Sequence, residues 1–210
     1  MTDQIPPPGP AGALVLVRHG ETEWSRTRRH TGLTDVPLTS EGEAAARRSV
    51  TLLGGRPIVR VLVSPYRRAQ RTAELSGLTD LGVPTSSDDR LHEWDYGGYE
   101  GLTTAQIGER LGHDWTIFDD GVVPGATPGE TVEQVAARAA AVLADVQSDL
   151  AHGDVALVAH GHFLRVLATV HLREEPRMAA KLVLDAGAVC VLGREHGVPA
   201  IVRWNETAHG

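Results

Sequence analysis

Three short apolar runs frame the chain. Residues 13–17 (ALVLV), Ile58–Val63 (IVRVLV) and residues 155–159 (VALVA) are rich in β-branched side chains and nearly free of polar ones. Runs of this kind predict strands covered on both faces, as in a parallel sheet. The stretches between them carry helix signals. Ser40-x-x-Glu43 has the capping-box pattern and opens an alanine-rich helix that Gly54-Gly55 stops. Ser64-Pro65 supplies a capping residue and a proline at the first helical position, which predicts a helix to about Gly77. Thr103-x-x-Gln106 caps a short helix. Thr131-x-x-Gln134 opens the longest, to about Ala151, with Val132, Val135, Ala139, Val142, Leu143, Val146 and Leu150 on a 3.6-residue period. Residues 121–129 (GVVPGATPG) read as loop. A helix through about Leu172 follows the third run, and residues 183–192 and 199–204 read as two further strands. This alternation predicts an α/β fold: three layers, doubly wound, with a mostly parallel sheet and helices on both faces. With no repeat and no linker, residues 13–210 read as one domain, preceded by a flexible Pro/Gly-rich tail over residues 1–12.

Composition narrows the picture. A chain of 210 residues buries about 70% of its unfolded surface and needs no disulfide or metal to hold it. The 27 acidic and 20 basic residues give a net charge of −7. That argues against nucleic acid as a partner while leaving room for a local basic pocket. The lone cysteine, Cys190, excludes an intramolecular disulfide. The apolar runs are too short for a membrane helix, and the first dozen residues lack the basic and apolar regions of a secretory signal, so a cytoplasmic location is expected. Ten histidines make histidine chemistry worth seeking.

The three apolar runs all end in polar residues: Arg18-His19-Gly20, Ser64-Pro65-Tyr66-Arg67-Arg68 and His160-Gly161-His162. In an open parallel sheet ligands bind beyond the carboxyl ends of the strands, so one rim would gather these groups. Guanidinium forks match phosphate oxygens, and helix N-termini at the same rim favour an anion. A neutral imidazole there can attack phosphorus. The departing alkoxide needs a proton, for which Glu93, in Leu91-His-Glu-Trp-Asp-Tyr-Gly97, has the distinctive setting. A zinc site from His160-x-His162 with His19 and Glu93 competes, but arginines beside the ion would oppose it. A phospho-ligand binder without turnover is a further reading.

LVRHGETEW (16–24) resembles the signature of the histidine phosphatase superfamily, the phosphoglycerate-mutase-like proteins. The resemblance runs through HTGLTDVPLTSEG (30–42), SPYRRAQRTA (64–73), LHEWDYGGYEGLT (91–103), the Pro-Gly-rich stretch before the long helix and VAHGHFLR (158–165). It implies His19 as the phosphorylated nucleophile, Arg18 and Arg68 as phosphate clamps, His160 as a second histidine at the phosphoryl group, and Glu93 as proton donor. It further implies that Ser25, Thr31, Gly32 and Gly161 line the phosphate pocket. Trp94 and Tyr96, clustered beside Glu93 in a chain with 4% aromatics, read either as core residues or as a substrate wall, and His162 either as a pocket wall or as a cap of the following helix. No metal and no cofactor are implied. Cofactor-dependent mutases of the family carry a lysine shortly after the glutamate motif and an arginine pair in a longer insertion. Here Gly101-Leu-Thr-Thr-Ala-Gln106 has no lysine, and residues 111–129 have neither lysine nor arginine. Water is therefore the expected acceptor and a small phosphorylated metabolite the expected partner. A mutase is the alternative, and a homodimer is left open. Arg28 and Arg29 read as peripheral.

Overall fold

The computed structural model describes residues 12–208. The tail expected over residues 1–12 lies outside them except for Gly12, whose N–H donates to the Leu150 carbonyl at 2.8 Å. The first apolar run forms β1 (Leu14–Arg18), followed by the short helix α1 (Glu23–Arg26), α2 (Ser40–Arg48) and α3 (Val50–Leu53). Then come β2 (Ile58–Val63), α4 (Arg67–Leu75), β3 (Thr85–Ser87), α5 (Thr104–Leu111) and α6 (Val132–Asp145). The chain ends with β4 (Asp154–Ala159), α7 (Gly161–Leu172), β5 (Val189–Glu195) and β6 (Val198–Glu206).

The six strands make one sheet in the order β3-β2-β4-β1-β5-β6. The first four are parallel, and β5 and β6 run antiparallel as a hairpin. Alternation along β1 shows how the layers form. Leu14 and Leu16 enter the core shared with α6 and α7, while Val15 and Val17 enter the core shared with α4. His196 and Gly197 both hold positive φ between β5 and β6, as a two-residue hairpin turn requires.

Several boundaries differ from the sequence reading for local reasons. Thr39, not Ser40, caps α2, its hydroxyl accepting from Gly42 N at 3.0 Å. The helix expected up to Gly54 breaks at Ser49, whose hydroxyl donates to Ala46 O. The long helix stops at Asp145, yet Val146 and Leu150 stay in the core through a tight turn at residues 149–151. The strand expected from residue 183 begins at Val189, after a turn in which Gly187 holds φ 76°. Ser64 does not cap α4, which starts at Arg67 behind Tyr66 with no side-chain cap.

Topology brings the rim together. Arg18 pairs with Ala159 across β1 and β4, so His19 and His160 are the next residues of two adjacent strands. The ladder continues past the strand ends, with His19 N donating to Ala159 O and Ser64 N to Val158 O. On the outer side the loop after β1 touches α2 without space for side chains: a Cβ at Gly42 would overlap the Glu21 backbone, and one at Gly20 would overlap the Gly42 carbonyl. Gly42→Ala is therefore expected to cost about 2–3 kcal/mol by overpacking. Denaturant unfolding checks this, and an unchanged midpoint would mean that the contact is soft.

Candidate active site

Beyond the ends of β1 and β4 lies a cleft of about 290 Å³. Arg18, His19, Ser25, Thr31, Glu93, Tyr96, Gly161 and His162 all line it. His19 is almost completely buried, and its Nδ1 lies 2.7 Å from the Gly20 carbonyl. A carbonyl only accepts, so Nδ1 carries the proton and Nε2 keeps a lone pair. Burial, with Arg68 and Arg18 nearby, pushes the imidazole well below its ordinary range, so it is neutral at pH 7. Arg18 lies half-buried beside it. Its Nη1 donates to the Leu184 carbonyl, while its Nε is a buried donor without a partner among the described residues. A cation whose donor is withheld from both water and protein is a socket for an anion. Gly161 makes room for it, since a Cβ there would stand 3.2 Å from the guanidinium carbon.

Glu93 sits at the start of α7. One oxygen accepts from Phe163 N (2.8 Å) and Trp94 N (2.9 Å), the other from His162 N (3.0 Å). Its segment is pinned from the far side. Glu130 accepts from Asp95 N through its carboxylate and from Trp94 Nε1 through its carbonyl, and Arg138 reaches the His92 carbonyl. The glutamate therefore has one fixed direction into the cleft.

Arg68 and His160 occupy the layer beneath, fully buried and absent from the cleft wall. The His19 and His160 rings meet edge to face with centroids 5.1 Å apart. Arg68 Nε donates to His160 Nδ1 at 3.2 Å, so Nε2 holds the proton and shares it with Ser64 Oγ at 2.6 Å. The remaining Arg68 nitrogens donate to the carbonyls of Thr34 (2.8 Å) and Gly32 (2.9 Å). The clamp expected of Arg68 is thus not preformed. Its guanidinium is spent on the 31–34 loop, because that loop is tied down from above by Glu100, which accepts from Gly32 N and Thr34 N.

Two further expectations change. Trp94 is a core aromatic, stacked edge to face on Phe118, and does not face the cleft. Gly32 is buried beneath Tyr96 and the Trp94 carbonyl and acts only through its backbone. Among the described residues no group of three or more His, Cys, Asp or Glu is arranged to hold a metal. No helix among them is long and apolar enough to cross a membrane. The sequence did not single out His30, Thr104, Arg165 or Leu184 as lining residues, and Arg28 and Arg29, expected to be solvated or peripheral, are exposed residues that also line the cleft. His30 and Arg165 lay within the quoted motif runs, which was the available signal. Tyr96 hydroxyl and His162 Nδ1 are 2.6 Å apart, and burial drives the tyrosine up and the histidine down, so both are neutral.

The profile of the histidine phosphatase superfamily (branch 1) matches residues 14–207, and the chain belongs to that superfamily. It is 39% identical over 200 residues to an acid phosphatase of Mycobacterium tuberculosis, covering 93% of each protein. It is 35% identical over 182 residues to the sedoheptulose 1,7-bisphosphatase of Saccharomyces cerevisiae, covering 74% of this chain and 66% of the yeast protein. The solved structure of a Mycobacterium tuberculosis open reading frame product superposes with a TM-score of 0.85 at 37% identity, covering 94% of this chain and 99% of the other.

The neutral histidines set a pH dependence of stability. Burial lowers His30 to about 4, against about 6.5 in an unfolded chain. Between these values the unfolded state binds the extra proton, so stability is complete above pH 6.5 and falls as the pH drops towards 4. The slope is up to about 1.4 kcal/mol per pH unit for each such histidine. Unfolding followed from pH 7 to 4 should be shallower for His30→Gln by about that amount; parallel curves would show that His30 titrates normally.

Proposed function

We propose that the chain is a phosphomonoesterase, active without a metal, that hydrolyses small phosphorylated metabolites, sugar phosphates among them, through a phosphohistidine at His19. The observation that carries this reading is the pairing on the cleft floor of the His19 Nε2 lone pair with the buried, unpartnered Nε–H of Arg18. A nucleophile and an anion donor are both left open there. The phosphatases among its relatives agree with it.

In the first step Nε2 of His19 attacks phosphorus as the bond to the ester oxygen breaks. That oxygen takes a proton from Glu93 and departs as the alcohol. Arg18 and the positive end of α7 face the equatorial oxygens, and one such donor is worth about 3 kcal/mol. Arg68 positions His160 and the 31–34 loop behind the nucleophile. In the second step water attacks phosphorus, Glu93 takes its proton, and the N–P electron pair returns to His19. Ester and water become alcohol and inorganic phosphate. Residues 101–106 contain no lysine, and Thr104 brings only a hydroxyl to the cleft, which supports water as the acceptor.

His19→Ala is expected to reduce hydrolysis of p-nitrophenyl phosphate by at least about a thousandfold, with wild-type turnover undiminished by EDTA. Chelator-sensitive turnover, or substantial activity in the variant, would contradict the reading. Glu93→Gln should slow an alkyl phosphate about a hundredfold and an aryl phosphate much less, because aryl leaving groups need less proton assistance. Single-turnover rates of phosphoryl transfer to His19 are compared, because the second step is common to both esters; equal losses there would remove Glu93 from the acid role.

A further inference from the structure

The cleft carries more positive charge than one phosphoryl group requires. Its charged lining residues are Arg18, Arg28, Arg29 and Arg165 against the single carboxylate of Glu93. Arg18 lies on the floor, and Arg165 is tethered to the carbonyls of Ala179 and Ala180. Arg28 and Arg29 are exposed at the mouth, and neither side chain has a hydrogen bond or ion pair among the described residues. Neighbouring arginines behave otherwise: Arg26 pairs with Glu23 at 2.6 Å, and Arg67 with Asp35 at 2.9 Å. In a chain with more acidic than basic residues, two adjacent arginines without a counter-charge beside a cleft are out of pattern.

Their backbone is fixed. The chain leaves α1 with Arg28 N donating to Ser25 O at 3.1 Å and Arg29 N to Trp24 O at 2.8 Å. An antiparallel bridge then joins Arg29 to Thr103, next to the lining residue Thr104. Arg28 holds φ 56°, a left-handed conformation that suits glycine, yet the position carries a long cation. Both arginines therefore line the cleft from an anchored turn.

We infer that Arg28 and Arg29 form a second anion subsite, and that the preferred substrates carry a further phosphate or carboxylate at the end remote from the ester being cleaved. This deepens the proposed hydrolase reading and rests on it for the word substrate. The subsite itself can be tested without turnover. In a His19→Ala background, calorimetry would compare α,ω-alkanediol bisphosphates of about three to seven carbons with the matching ω-hydroxyalkyl monophosphates. At the best length the bisphosphate should bind at least about tenfold more tightly. Adding Arg28→Gly, which suits the left-handed backbone, and Arg29→Ala should bring that ratio to about two or less and flatten its salt dependence. A parallel series ending in carboxylate tells which second anion the site prefers. No length favouring the doubly charged ligand, or a ratio unchanged in the double variant, overturns the subsite. Wild-type inactivity on p-nitrophenyl phosphate would instead overturn the hydrolase reading and leave the binding ratio standing as its own result.

Discussion

The cleft depends on burying positive charge without neutralising it. A buried cation is normally paired with a carboxylate, because desolvation is otherwise too costly. Here Arg18 is held instead by the Leu184 carbonyl, and Arg68 by the carbonyls of Thr34 and Gly32, with the Asp35 carboxylate only at 3.9 Å. Carbonyl dipoles satisfy donors yet leave the net charge intact. Glu93 lies near enough to feel both cations, but its own oxygens are taken by backbone N–H groups. The same field, together with burial, keeps His19 and His160 neutral. The stability given up at the floor is thus the source of the affinity for an anion and of the free lone pair on His19.

The parallel sheet makes this arrangement available. Adjacent strands β1 and β4 deliver His19 and His160 in register, and β2 delivers Ser64 on the other side of β4. Each strand is largely apolar along its length and polar at its last residue or directly beyond it. Packing therefore fixes the positions of groups that packing alone would never bury. Glu100, Glu130 and Arg138 stand behind the cleft and hold the loops in place, so the residues facing it are set by a second layer of polar contacts.

Much of this was legible in the chain, for identifiable reasons. Strands β2 and β4 announced themselves because a doubly covered strand has no polar face to obscure it. The α5 and α6 caps were readable because Thr103 and Thr131 each have a glutamine three residues on, and the structure forms both reciprocal bonds. His19 and Gly161 line the cleft because strand ends gather at one rim, whereas Glu93, at no strand end, was legible only from the setting of its motif. What failed involved choices between partners. Ser64 had an equally good local use as a helix cap and a better distant one with His160. Trp94 and Tyr96, two residues apart, diverge between core and cleft, which local sequence does not decide. Arg28 and Arg29 are exposed, as expected of solvated or peripheral residues, but that they also edge the cleft without a counter-charge is a three-dimensional fact.

The direct test of the uncompensated floor charge is thermal unfolding of the wild type and Arg18→Met, with and without orthovanadate as a phosphoryl mimic. Removing a buried charge that lacks a carboxylate should leave the ligand-free variant at least as stable as the wild type. Saturating vanadate should raise the wild-type Tm by about 5 °C or more and leave the variant unmoved. A variant that is strongly destabilised without ligand, yet still stabilised by vanadate, would show that Arg18 is a structural cation and that the anion is held elsewhere.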